Sequence, residues 1–211
     1  MEANSHEDWV KIHQPYELAY HKQGNFRWRE ELWQDQWNKV FRELMGFVPE
    51  QFNNGEQILD LGCGSRPCLD WFTGNYFSFH LDPLLADYLK IEQMKQYWCR
   101  KSDDHLLSMP AEELYDPLVG ECDYVHCWNV LDHVYNWRDV WRNFVKYCKV
   151  GGVALLGTDL GRRPSKGHPG IDEPDELRAS VEKHFEIVNE ISPFVYRKMA
   201  VKLIRKAIPY G

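Results

Sequence analysis

Two carboxylates and a pair of glycines offer the clearest chemistry in this sequence. Asp60 stands in the apolar run Ile58–Leu61, and Gly62 and Gly64 follow with Cys63 between them. Glycines at that spacing let the backbone turn tightly and let a ligand reach the main chain, because a side chain would hold it off. Asp82 closes a second apolar run, Tyr76–Leu81, twenty residues beyond Gly62. A carboxylate there can accept both hydroxyls of a ribose. Asp82 before Pro83 is also a good helix start, and the two roles are compatible. His133 is the third group of interest, since an imidazole titrates near neutrality and suits a general base for an acceptor hydroxyl or ammonium. It could equally cap or pack a helix starting near Asn136.

These residues need a scaffold that gathers strand ends at one edge. From Gln57 onward, short apolar runs alternate with helical stretches. Ile58–Leu61, Tyr76–Leu81, Tyr124–Trp128 and Val153–Leu156 read as strands, Pro83–Tyr97 and Asn136–Cys148 as helices. That alternation predicts a Rossmann-like, doubly wound, mostly parallel sheet covered on both faces, with ligands bound outside the carboxyl ends of the strands. A helix over Glu173–His184 is then followed by strands near Phe185–Ile191 and Ala200–Ala207 with no helix between them, which predicts an antiparallel hairpin at the sheet edge. Ahead of this α/β domain (51–211), residues 1–50 form a separate helical segment. Trp33, Trp37, Val40, Phe41 and Leu44 recur at helical spacing and predict an amphipathic helix from about Phe26 to Gly46, and the ring-rich stretch before it one or two short helices.

Composition narrows the function. A chain of 211 residues that is 44% hydrophobic holds one sizeable core, and its net charge of −7 gives no footprint for a polyanion, so no nucleic acid partner is expected. No long apolar run or leader-like start is present, which predicts a cytoplasmic protein without a membrane partner. The six cysteines include no C-x-x-C pair and suit reduced, buried thiols, so no metal is expected from them.

Asp60-x-Gly62-x-Gly64 also occurs in dinucleotide-binding folds, but those want a third glycine where Pro67 stands. The order instead resembles motif I of class I S-adenosylmethionine-dependent methyltransferases. The resemblance runs on through Met109-Pro110-Ala111-Glu112-Glu113-Leu114, similar to the family's adenine-side loop. It continues through Asp123 and the run Trp128-Asn129-Val130-Leu131-Asp132-His133-Val134, similar to the fourth strand and following turn of the small-molecule branch, and through the Gly151-Gly152 turn. It implies S-adenosyl-L-methionine as cofactor and S-adenosyl-L-homocysteine as product. The cofactor residues would be Asp60, Gly62, Cys63 and Gly64 on the amino acid side, Asp82 on the ribose, backbone from Met109 and Ala111 on the adenine, and Trp128 and Asn129 at the end of the fourth strand. Pro110 stands where many members carry an acid. His133 would lie near the transferring methyl.

Neither the Asn/Asp-Pro-Pro-aromatic tetrad nor the Pro-Cys nucleophile of base methylation is present around His126-Cys127-Trp128-Asn129, so the acceptor is expected to be a small molecule. The ring-rich N-terminal segment reads as a lid, with Tyr16, Tyr20, His21 and Trp28 as pocket candidates, and His168 in the loop 161–170 as another. Two other readings stand beside this one: a catalytically silent S-adenosylmethionine-binding module, and a nicotinamide-dependent oxidoreductase, which Pro67 disfavours. Acceptor identity and oligomeric state are not legible.

Overall fold

The computed structural model describes residues 5–22, 55–65, 76–92, 95, 104–160, 165, 168–194 and 198–207. The expected helix over 26–46, Trp28, Pro67 and most of the loop 161–167 lie outside these residues. The described residues build a seven-stranded sheet in the order β3-β2-β1-β4-β5-β7-β6. Its strands are β1 (Gln57–Leu61), β2 (Phe77–Leu81), β3 (Asp104–Leu107), β4 (Cys122–Trp128), β5 (Cys148–Asp159), β6 (Phe185–Phe194) and β7 (Lys198–Arg205). The first five run parallel to one another, and β7 pairs antiparallel with both β5 and β6. The hairpin expected at the sheet edge is therefore present, with β7 inserted between β5 and β6. β3 was implied by the resemblance without bounds, because a polar run such as Asp104-His105-Leu106-Leu107 carries little strand signal.

β1 and β4 are the central strands, and they are buried on both faces, which is why they read as near-continuous apolar runs. Leu59, Leu61, Val125, Cys127, Ala154, Leu156, Val201 and Leu203 belong to one core with the apolar faces of two helices. To number the helices in chain order, α1 is His6–Asp8, α2 Gln14–Lys22, α3 Leu85–Tyr88, α4 Trp137–Tyr147 and α5 Pro174–His184. Val140, Trp141 and Phe144 of α4 and Leu177 and Val181 of α5 are fully or almost fully buried in that core, at i, i+4 spacing that keeps them on one helix face. Asn136 caps α4 by accepting the Arg138 N–H. Within the helix expected from Pro83 to Tyr97, the described residues give α3 and, after a turn at 89–91, helical Glu92 and Lys95.

The Gly151-Gly152 turn expected before the fifth strand is a bulge inside β5. Cys122 pairs with Cys148 and Tyr124 with Val153, so residues 149–152 are extruded, with Gly151 at φ +80°. At the same end of the sheet Asp123 accepts from the Gln57 N–H and the Lys149 ammonium, which clamps β1, β4 and β5 together. Cys63, Cys122, Cys127 and Cys148 are buried free thiols, as expected. Among the described residues no helix is long and apolar enough to cross a membrane.

Candidate active site

The carboxyl ends of β1, β2, β3 and β4 open at one edge, on either side of the β1/β4 switch in strand order. Leaving β1, the backbone N–H groups of Gly62 and Cys63 donate to the Leu81 carbonyl at 2.8 and 3.1 Å, which fixes the glycine turn to the end of β2. Gly62 has φ +72°, and a Cβ there would lie 2.4 Å from a Val130 methyl, so no side chain fits. Gly64 has φ +64°, and a Cβ there would meet nothing within 4 Å. The turn is thus sealed on the Gly62 side and open on the Gly64 side, the shape a cradle for a ligand needs.

Asp82 closes this cradle. Its Oδ2 accepts from the Gly64 N–H at 3.0 Å and its Oδ1 from the Leu84 N–H at 2.8 Å. It caps the turn into α3 and faces the glycines at once. Burial pushes its carboxyl up to about 6, and those two N–H bonds hold it back from rising further.

Asp60 lies deeper. In register with His80 on β2 and His126 on β4, it sits between two imidazoles on one face of the sheet. Its Oδ1 is 2.9 Å from His126 Nδ1 and its Oδ2 3.6 Å from His80 Nδ1. Burial alone would raise this carboxyl, but the hydrogen bond from His126 and the adjacent His80 imidazole outweigh it and hold the group below the ordinary aspartate range. Asp60 therefore sets the electrostatics beneath the turn as a buried anion.

The β4 exit carries the second half of the site. Trp128 packs on Gly157 of β5, where a Cβ would fall 2.2 Å from the indole. Asn129 follows with φ +59°, held by its N–H to the Gly157 carbonyl at 2.7 Å. Its amide lies 2.8 Å from His133 Nε2. Asp132 is fully buried, and its Oδ1 accepts from the Thr158 hydroxyl at 3.2 Å. Its Oδ2 is 3.4 Å from His168 Nδ1 and 3.6 Å from His133 Nε2. The two imidazole rings are 3.9 Å apart. Burial would raise the Asp132 carboxyl, but the His168 hydrogen bond and the charges of both histidines leave it below its usual value. Among the described residues, these three place one carboxylate oxygen and two ring nitrogens within 4.8 Å of one another. His133 and His168, 35 residues apart in the chain, are thus brought together.

The loop after β3 ties into the same structure. Met109 packs on the core and donates its N–H to the Leu107 carbonyl, while the carbonyls of buried Ala111 and of Glu112 accept from the Asn143 amide of α4. Glu112 Oε1 accepts the N–H groups of Tyr135 and, at the limit of range, Asn136, just beyond His133. Burial pushes this carboxyl up to about 7 against those bonds. Glu112 and Asp132 lie within the motif runs, yet local spacing assigns neither a role, because nothing in it shows which backbone or imidazole they meet.

The N-terminal helices, α1, a π-helical turn over Trp9–His13 and α2, border both halves of the site. Trp9 is buried, and its indole N–H donates to the His133 carbonyl at 3.0 Å. His21 Nδ1 is 3.1 Å from the Ser65 hydroxyl beside the glycine turn, and its ring lies against Tyr88. Its Nε2 is 3.0 Å from Glu17, a carboxylate that burial would raise but that the His21 hydrogen bond and the charges of His133, His21 and His168 bring below its usual value. Of the expected pocket residues, His21 and His168 reach this region, Tyr20 stacks edge-on against His21, and Tyr16 is exposed.

A family model described as a methyltransferase domain matches residues 27–191. No curated protein matches the sequence. Among solved structures, the fold is similar to the methyltransferase in complex with the Haloferax volcanii Trm112 methyltransferase activator, at 13% identity and TM-score 0.65 over 90% of this chain and 98% of that one. It is similar to Burkholderia thailandensis 1,6-didemethyltoxoflavin-N1-methyltransferase, whose structure holds 1,6-didemethyltoxoflavin and S-adenosylhomocysteine, at 12% identity and TM-score 0.61 over 96% and 91%. It is also similar to the CurJ carbon methyltransferase, at 12% identity and TM-score 0.55 over 73% of this chain, which spans about half (49%) of that longer chain. With four fifths of the sequence matched and a doubly wound sheet around a glycine cradle, the chain belongs to the methyltransferase domain family and is an S-adenosylmethionine-dependent methyltransferase.

Proposed function

We propose that the protein methylates a small-molecule acceptor on oxygen or nitrogen. The observation that carries this reading is the junction of two half-sites at one sheet edge. The open Gly64 cradle with Asp82 lies on one side of the β1/β4 switch, and the Asn129–His133–His168 cluster on the other. S-adenosylmethionine, when bound, supplies an electrophilic methyl on a sulfonium.

The chain's own residues do the rest. Asp82 accepts the ribose hydroxyls, the backbone of Gly62, Cys63 and Gly64 lies along the amino acid part above buried Asp60, and Met109 and Ala111 border the adenine. Trp128 and Asn129 wall the cradle at the end of β4. His133 would assist removal of the acceptor's proton during transfer of that methyl. Residues 5–22 act as part of a lid, with Trp9 at His133 and His21 at Ser65 tying them to both half-sites. The net charge of −7 supports such an acceptor over a polyanion, and it accords with a cytoplasmic protein that binds neither nucleic acid nor membrane.

The test is incubation of the purified protein with a low-molecular-weight metabolite fraction and methyl-deuterated S-adenosylmethionine, followed by mass spectrometry. A trideuteromethyl mass shift on a small metabolite is expected. Label found only on added RNA or protein would overturn the reading.

A further inference from the structure

We propose that Asp132, His133 and His168 form a binding site for a divalent transition-metal cation of zinc type. A tetrahedral zinc with nitrogen and oxygen ligands at about 2.0–2.1 Å sets its ligand atoms about 3.3 Å apart. Asp132 Oδ2 stands 3.4 Å from His168 Nδ1 and 3.6 Å from His133 Nε2, and the three ligand atoms lie within 4.8 Å of one another, so the side chains need only draw together around a cation. Two imidazoles and one carboxylate with a side left open is the donor set of borderline metals that keep a position for substrate, and it is a poor match to magnesium, which prefers oxygen and water.

The surroundings match a metal site as well as the donors do. The second oxygen of Asp132 is held by the Thr158 hydroxyl, and the Asp132 carbonyl accepts the Gly170 N–H, which fixes the loop of His168 to that of His133. Such outer hydrogen bonds orient a ligating carboxylate. The Asn129 amide lies 2.8 Å from His133 Nε2 and, turned over, presents its oxygen as a further donor. Buried Asp132 supplies negative charge that a cation would neutralise.

This inference rests on the acceptor-site reading above and deepens it: His133 assists proton removal as a ligand. An acceptor hydroxyl bound to the open face of the cation is acidified, releases its proton to solvent, and presents its oxygen for methylation. That favours a hydroxyl-bearing acceptor.

The experiment is titration of the chelator-stripped full chain with cobalt(II), followed by visible absorption and by calorimetry. One equivalent of cobalt is expected to bind with ligand-field bands in the visible, and zinc to displace it, while magnesium does not. His168→Ala and Asp132→Asn should each weaken binding at least tenfold, and Thr158→Val, which removes only the outer hydrogen bond, about tenfold. S-adenosylhomocysteine binding, measured on the same samples, reports folding and tests the methyltransferase reading independently. Absence of stoichiometric cobalt binding in a protein that binds S-adenosylhomocysteine would overturn the metal site alone, as would equal cobalt affinity in wild type and a folded His168→Ala.

Discussion

Lowering the pH from 7.5 to 5 should weaken S-adenosylhomocysteine binding about tenfold through Asp82. Its carboxyl is pushed up to about 6 by burial, while the Gly64 and Leu84 N–H groups each occupy one lone pair of its two oxygens. The remaining lone pairs are what two ribose hydroxyls need, and the ionised form offers both. A proton occupies one of them. Because the folded value is raised, the group is ionised above about 6 and mostly protonated below it, so binding is strong at neutral pH and fades on acidification. One unit below the midpoint, recovering the ionised form costs about 1.4 kcal/mol, a factor of about ten in affinity. The assay is calorimetric titration at several pH values and constant ionic strength, on wild type and on Asp82→Asn. The asparagine variant should bind about 1–3 kcal/mol more weakly at pH 7.5, the usual loss for a charged acceptor, and show no such slope. A flat wild-type profile, or a slope that survives in Asp82→Asn, would refute the assignment of Asp82 to the ribose.

Gly62→Ala should destabilise the fold by about 1–3 kcal/mol in urea unfolding, since the new methyl meets Val130 at 2.4 Å on a backbone at φ +72°. Adding Val130→Ala should recover the steric part and leave the conformational part. Glu112→Gln should change the pH dependence of stability. The native carboxyl is raised from 4.5 to about 7, so wild type loses up to about 3 kcal/mol as pH rises across that window, and melting curves of the variant should show a flatter profile. His133→Ala should leave S-adenosylhomocysteine affinity nearly intact and lower turnover by about 10²–10⁴-fold. A loss below tenfold, with folding preserved, would make His133 a structural residue that only caps the loop before α4.

Much of the scaffold was legible in the chain itself, because it rests on local rules. Apolar runs of strand length with helical stretches between them dictate a parallel sheet, and the lack of a helix between Phe185–Ile191 and Ala200–Ala207 dictates the hairpin. The positive φ of Gly62 and Gly64 and the capping by Asp82 follow from residue type and order. The tertiary structure decided everything that depends on register and loop closure. Asp60 lies between His80 and His126 only because three strands align those positions, so its role as a buried anion could not be read from motif I. Residues 149–152 loop out of β5 because β4 pairs past them, which a glycine pair alone does not reveal. His168 meets Asp132 and His133 because the Gly170 N–H closes its loop onto the β4 exit, a hydrogen bond across 38 residues with no trace in local spacing. The sequence supplies the side chains of the site, and long-range hydrogen bonding chooses which of them share it.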